Sequence, residues 1–174
     1  MELTNRNIDG GNGFDWGRTS GDYARYRDIY PQTFYDRILA RGLCTAGQAA
    51  LDPGTGTDIS PQQISQAKQL SAGMQITYRV CSAEQLDFPT DSFDVITACQ
   101  CYWYFDHGKV APILARMLRP GGRVLFLCME WLPFEDPVAN ASEQLVLKYN
   151  PNWTGAGETM HPISVPDCYG AYFT

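Results

Sequence analysis

Leu51-Asp52-Pro53-Gly54-Thr55-Gly56-Thr57-Asp58 is the stretch whose reading decides the fold. Gln48 to Asp52 reads as a short apolar strand that ends at an acid. Gly54 and Gly56 lack a Cβ, so a ligand can approach the backbone there. In an open α/β sheet the crevice lies outside the carboxyl ends of the strands. A lone G-x-G also occurs in plain tight turns. Asp58 precedes Ser60-Pro61, an N-cap followed by a first-turn proline. Its carboxylate either accepts hydrogen bonds from ribose hydroxyls or is an acid leading into a helix, favoured by the helix dipole.

Downstream, Ile64, Ala67, Lys68 and Leu70 continue at helical spacing. Gln75 to Val80 is rich in Ile, Thr, Tyr and Val and predicts a strand. Phe93 to Ala98 is a near-continuous apolar run, as in a strand covered on both faces. Val110 to Leu118 predicts an amphipathic helix, Pro120-Gly121-Gly122 a turn, and Arg123 to Met129 another buried strand. This alternation predicts an α/β fold with a mostly parallel sheet flanked by helices.

Upstream, residues 1–13 are polar and Asn/Gly-rich, a flexible leader with no apolar signal region. Tyr23, Tyr26 and Tyr30 fall at i, i+3, i+7, on one face of a predicted helix. Pro31 opens a second helix, carrying Phe34, Ile38 and Leu39, and Gly42 stops it. Beyond the sheet, Val138 to Tyr149 predicts a helix, and proline, glycine and aromatics dominate from Asn150. Residues 14–174 read as one domain: helices over 14–47, a sheet core over 48–130 and a cover segment over 131–174.

Length and composition suit this reading. The chain has 174 residues, 44% hydrophobic, with a net charge of −6, so a buried core is expected and global disorder is not. The acidic balance argues against nucleic acid as the main partner. No run of 18 apolar residues exists, so no membrane span is proposed, and the cytoplasm is the default compartment. None of the cysteines forms a C-x-x-C pair. Cys44, Cys81, Cys99, Cys101, Cys128 and Cys168 therefore read as small buried hydrophobes rather than zinc ligands or disulfides.

Two further segments complete a constellation. Ser82-Ala83-Glu84-Gln85-Leu86-Asp87-Phe88-Pro89 follows one strand and leads through Asp91-Ser92 into the next. Such a loop can frame an adenine ring or can be an ordinary surface loop. Leu118-Arg119-Pro120-Gly121-Gly122 turns a helix back into the sheet. Together these resemble the class I S-adenosylmethionine-dependent methyltransferases, in particular their small-molecule branch. Phe14-Asp15-Trp16-Gly17 and Trp131-Leu132-Pro133-Phe134-Glu135-Asp136 also look like bacterial members. The resemblance covers roughly residues 14–165.

The resemblance implies S-adenosylmethionine as cofactor and methyl transfer to a small-molecule acceptor. It implies that Asp52, Gly54 and Gly56 cradle the methionine part, Asp58 the ribose, and Ala83 and Glu84 the adenine side, with Cys99 at the same crevice. Cys99, Gln100 and Tyr102 would line the acceptor pocket. His107 and Tyr104 are the candidates for a general base. A dinucleotide-dependent oxidoreductase is the rival from another class, but no third glycine completes G-x-G-x-x-G.

One departure stands out. In nucleotide-binding folds of this kind the glycine loop and the ribose acid lie about 20 residues apart. Here Gly56 and Asp58 are neighbours but one. A parallel crossover needs about a dozen residues, so the expectation is that one fused strand, Gln48 to Asp52, replaces two, and the first crossover helix is lost. The expected sheet has four strands in one layer, with Val80 beside Leu51. The family's last strands would also be missing. Exposed apolar surface would lower stability or favour self-association. A non-catalytic remnant with weak or no cofactor binding is the alternative function.

Overall fold

The computed structural model describes residues 17–26, 30–128, 134–152 and 165–173. The expected leader, most of the Phe14–Gly17 motif and Trp131–Pro133 lie outside these residues. Two helices open the described chain, α1 (Ser20–Tyr26) and α2 (Gln32–Leu39). Gly42, at φ +69, follows the end of α2 in the left-handed region that glycine tolerates. Tyr30 is not helical. It stacks on Phe34 of α2 with ring centroids 4.2 Å apart, so the three tyrosines do not share one helical face.

The fold is α/β with parallel pairing throughout the described strands. They are β1 (Ala50–Leu51), β2 (Thr57–Asp58), β3 (Arg79–Val80), β4 (Phe93–Cys99) and β5 (Leu118–Leu127). β4 is the centre of a three-stranded sheet ordered β1-β4-β5. α4 (His107–Met117) crosses between β4 and β5. Val95, Ile96 and Ala98 of β4 and Val110, Ala111, Leu114 and Met117 of α4 are all fully buried. Each large side chain among them contributes roughly 1.5–3 kcal/mol.

The compressed segment folds differently from the expectation. Leu51 and Val80 are not on neighbouring strands, and the fused strand does not form. The chain supplies both strands, but each is two residues long. β1 joins β4, with Leu51 opposite Ile96, and β2 joins β3 in a separate sheet, with Asp58 opposite Val80. The reason is local. The Thr57 N–H donates to the Asp52 carbonyl at 2.9 Å, closing residues 52–57 into a tight turn. So short a connection cannot lay two parallel strands side by side in one sheet, and β2 leaves for another. β3 is limited by its partner, so Gln75 to Tyr78 gain no ladder.

α3 (Pro61–Leu70) joins β2 to β3. The Ser60 hydroxyl accepts from the Gln63 N–H at 3.3 Å and Pro61 occupies the first turn, as the sequence predicts. Pro120-Gly121-Gly122 is not a turn between helix and strand, because β5 already begins at Leu118. The residues form an irregularity inside it. Phe93 pairs with Leu118 but Val95 with Arg123, so the bulged strand carries extra residues there. A Cβ on Gly122 would meet Leu118 Cδ2 at 2.8 Å and the Asp94 carbonyl at 3.0 Å, so only glycine fits.

The described residues divide into two compact units, the second spanning Cys128–Pro166. It contains α5 (Pro137–Tyr149), capped by Asp136, whose carboxylate accepts from Val138 N and Ala139 N. A one-turn helix at Asp167–Ala171 belongs to the first unit and packs on α4 through Tyr169, which is 2% exposed.

Candidate functional site

The carboxyl ends of β1, β2 and β4 and the short helix Ala83–Gln85 carry the sequence-predicted site residues. Asp52 is held at the end of β1. One carboxylate oxygen accepts from Thr55 N at 2.9 Å, the other from the Thr97 hydroxyl of β4 at 2.9 Å. Burial raises its pKa, and the hydrogen bonds only partly offset that. Cys99, at the end of β4, hydrogen-bonds the same carboxylate. Its thiol is pushed up to about 12 by burial and by the Asp52 charge, so it stays protonated. Asp52 therefore ties the glycine turn to the neighbouring strand.

Gly54 and Gly56 are dictated by the chain itself. A Cβ on Gly56 would lie 2.9 Å from the Asp52 carbonyl oxygen. A Cβ on Gly54 would lie 2.6 Å from Cys101 Sγ. That thiol also donates to the Pro53 carbonyl at 3.5 Å. Cys101 leaves β4 through Gln100, a non-glycine residue at φ +57 whose N–H bonds the Leu127 carbonyl at 2.9 Å. Strained backbone of this kind clusters at functional sites. Cys101 escapes a motif reading because no glycine-loop pattern includes it. The positive φ at Gln100 has no sequence signal either.

Asp58 ends β2 and is half-buried. Burial raises its pKa, against hydrogen bonds from the Ser60 and Ile59 backbones, the first at 2.7 Å. A carboxylate offers about four lone-pair sites, so Asp58 keeps acceptor capacity for a diol. Ala83 is buried in the core that holds Leu51, Ile96 and Leu114. Glu84 accepts from the Asp106 N–H at 3.0 Å. Burial pushes its pKa up, but the bonds from Asp106 N, its own N–H and Ser82 outweigh this and hold it below the ordinary value.

Of the remaining candidates, Tyr102 and His107 sit in an aromatic cluster. His107 Nδ1 lies 3.1 Å from the Tyr169 hydroxyl, and its ring packs 4.6 Å from that of Tyr102. Burial lowers the His107 pKa despite Asp106 and Glu84 nearby, so the ring is neutral at neutral pH. Tyr102 is 4% exposed and packs on Phe126. Tyr104 is 46% exposed, and burial of its hydroxyl, then Tyr23 and Cys101, raise its pKa. It is a hydrogen-bond donor at neutral pH. Among the described residues, no group of His, Cys, Asp and Glu is arranged to hold a metal ion.

S-adenosylmethionine fits this set of residues at one end. Asp58 and Glu84 present acceptors suited to a ribose and an adenine. At the other end, the turn over residues 53–56 is closed by its own backbone bond and covered by the Cys101 thiol.

A family profile for the methyltransferase domain matches residues 41–126. The chain is 32% identical over 122 residues to a ubiquinone biosynthesis O-methyltransferase of Pseudomonas putida, covering 67% of this chain and 50% of that protein. It is 32% identical over 84 residues to a ubiquinone/menaquinone biosynthesis C-methyltransferase of Desulfotalea psychrophila, covering 45% and 32%. Among solved structures, a protein assigned as an S-adenosylmethionine-dependent methyltransferase of Methanococcus maripaludis superposes with TM-score 0.62 at 14% identity, covering 82% of this chain and 76% of that one. The YcgJ protein of Bacillus subtilis superposes with TM-score 0.50 at 23% identity, covering 75% and 66%. The structural likenesses establish the fold. This chain belongs to the class I S-adenosylmethionine-dependent methyltransferases. S-adenosylmethionine is the cofactor of that family. The chain spans about half the length of the Pseudomonas relatives it matches. Among the described residues, no helix is long and apolar enough to cross a membrane.

Proposed function

We propose that this chain is an S-adenosylmethionine-dependent methyltransferase acting on a small-molecule acceptor. The observation that carries the reading is Asp58, half-buried at the carboxyl end of β2 with two backbone N–H groups orienting its carboxylate. Asp58 holds the ribose hydroxyls and Glu84 lies on the adenine side. S-adenosylmethionine, when bound, supplies a sulfonium methyl group. The protein's share is positioning, since holding two reactants in line removes much of the barrier. Gln100 and Tyr104, beyond the end of β4, face the acceptor side, with Tyr104 able to donate a hydrogen bond to it. The small-molecule acceptor is supported by the quinone-pathway names of the relatives.

A second reading, a non-catalytic remnant with weak or no cofactor binding, is favoured by the covered glycine turn. Calorimetric titration with S-adenosylhomocysteine tests both. The methyltransferase reading expects saturable binding that Asp58→Ala weakens by tenfold or more. No heat of binding at millimolar ligand would leave the remnant.

A further inference from the structure

We propose that His107 and Tyr169 form a pH-sensitive latch that holds residues 167–173 against the core and loosens on acidification. The chain leaves this compact unit after Leu127 and rejoins it at Asp167. The one-turn helix Asp167–Ala171 then lies on α4. Within residues 167–173 Tyr169 is the fully buried residue, Cys168 and Phe173 are partly buried, and the others are exposed. The segment is organised about Tyr169, whose carbonyl accepts from the Tyr172 and Phe173 N–H groups at 3.0 and 2.9 Å. Its ring packs on Phe126 of β5 at 5.2 Å and on Phe173 at 5.8 Å between centroids. Its hydroxyl reaches His107 Nδ1, 3.1 Å away at the start of α4.

The charge on the imidazole decides whether this bond is satisfied. With its proton on Nε2, neutral imidazole accepts the phenol O–H at Nδ1. Protonated imidazole is a donor at both nitrogens, so Nδ1–H faces the phenolic oxygen and the buried O–H loses its acceptor. The phenol does not relieve this by ionising, because burial, then Cys168 and Tyr102, push its pKa well up. The cation would also form among rings, with Tyr102 at 4.6 Å, Tyr169 at 5.6 Å and Phe105 at 6.3 Å. The charged groups about His107 are Asp106 and Lys109 at the start of α4 and Glu84 on the short helix Ala83–Gln85. Asp106 is paired with Lys109 at 2.8 Å, and Glu84 accepts from the Asp106 N–H at 3.0 Å. Burial lowers the His107 pKa, and the two carboxylates only partly oppose it. With residues 167–173 undocked, His107 regains the ordinary histidine value. Docking is therefore at full strength above that value and weakens as pH falls from it through the lowered one.

Amide hydrogen exchange of the whole chain, read by mass spectrometry at about pH 7.5 and about pH 5, on either side of the ordinary histidine value, tests the latch. After correction for the intrinsic rate, residues 167–173 should exchange about threefold or more faster at the lower pH, with β4 unchanged. His107→Asn leaves an acceptor near the Nδ1 position and has no proton to gain, so it should keep the segment protected at both. Equal protection of the segment in the unaltered chain at both pH values overturns the latch, and so does an acid loss that His107→Asn retains. Tyr169→Phe keeps the ring and removes the hydroxyl. A proton NMR titration of the imidazoles reads the coupling directly, with His107 told from His161 by its loss in His107→Asn. His107 should titrate below the ordinary histidine value, and Tyr169→Phe should move its midpoint upward. A midpoint that Tyr169→Phe leaves in place overturns the proposal.

Discussion

Two halves of this molecule were built from the same kind of α/β unit, and they ended differently. The β4–α4–β5 unit has strands of seven and ten residues and side chains with no exposure. The β2–α3–β3 unit has strands of two residues each, and Ile59, Leu70, Met74, Ile76 and Val80 are each at least 48% exposed. The difference lies in the connection. His107–Met117 gives the first unit a full crossover helix from a full strand. The β2–α3–β3 unit begins at Thr57, the residue after Gly56, so β2 has no length to pair along. A parallel ladder is only as long as its shorter strand, and the apolar residues beyond it stay in solvent.

The largest effect that could break this comparison is in the cores. Leu114→Ala, in the intact unit, should cost about 2–5 kcal/mol in urea unfolding. Val80→Ala, in the compressed unit, should stay within about 0.5 kcal/mol, the range of surface changes. Equal losses would show that the β2–α3–β3 unit is as well packed as the β4–α4–β5 unit. Gly122→Ala should cost about 1–3 kcal/mol, because its Cβ would press on the Asp94 carbonyl and Leu118. A thermal melt unchanged by this substitution would remove the bulge from the account. Ser60→Ala should cost about 1 kcal/mol through loss of the cap on α3. A neutral result would mean that α3 is held by packing alone.

The smallest effect sharpens the turn between the halves. The pKa of Asp52 is raised by burial. Between the ordinary aspartate value and this raised one, the folded state holds a proton that the unfolded state has lost. This contribution to stability therefore grows as pH falls through that window and declines as pH rises. Asn at position 52 can accept from Thr55 N and has no charge to bury, so Asp52→Asn should flatten this part of the urea-midpoint profile against pH. A profile with unchanged slope would mean that the Asp52 carboxylate is solvated.

The intact unit was legible in the sequence because its signals are long. The run Phe93–Ala98 and the stripe Val110, Leu114, Met117 each span more than one repeat of their period. The compressed unit was legible only at the start of α3, where Ser60-Pro61 marks a cap by residue type alone. The Gly56–Asp58 spacing announced that one parallel sheet could not hold both strands, but not that β2 would keep its pairing with β3 and leave β1 behind. The bulge at Pro120–Gly122 reads as a turn because proline and glycine mark both. In the site, Asp52, Gly54, Gly56 and Asp58 were visible as types in a pattern. Cys101 was not, because its position depends on the left-handed Gln100, which no local preference dictates.

The central claim is that Asp58, at the end of β2, holds the ribose of an adenosyl ligand in this chain. Its most direct test is calorimetric titration of the unaltered chain and of Asp58→Ala with S-adenosylhomocysteine. The unaltered chain should bind it saturably, and Asp58→Ala should weaken it tenfold or more. Binding that Asp58→Ala leaves within twofold would contradict the claim.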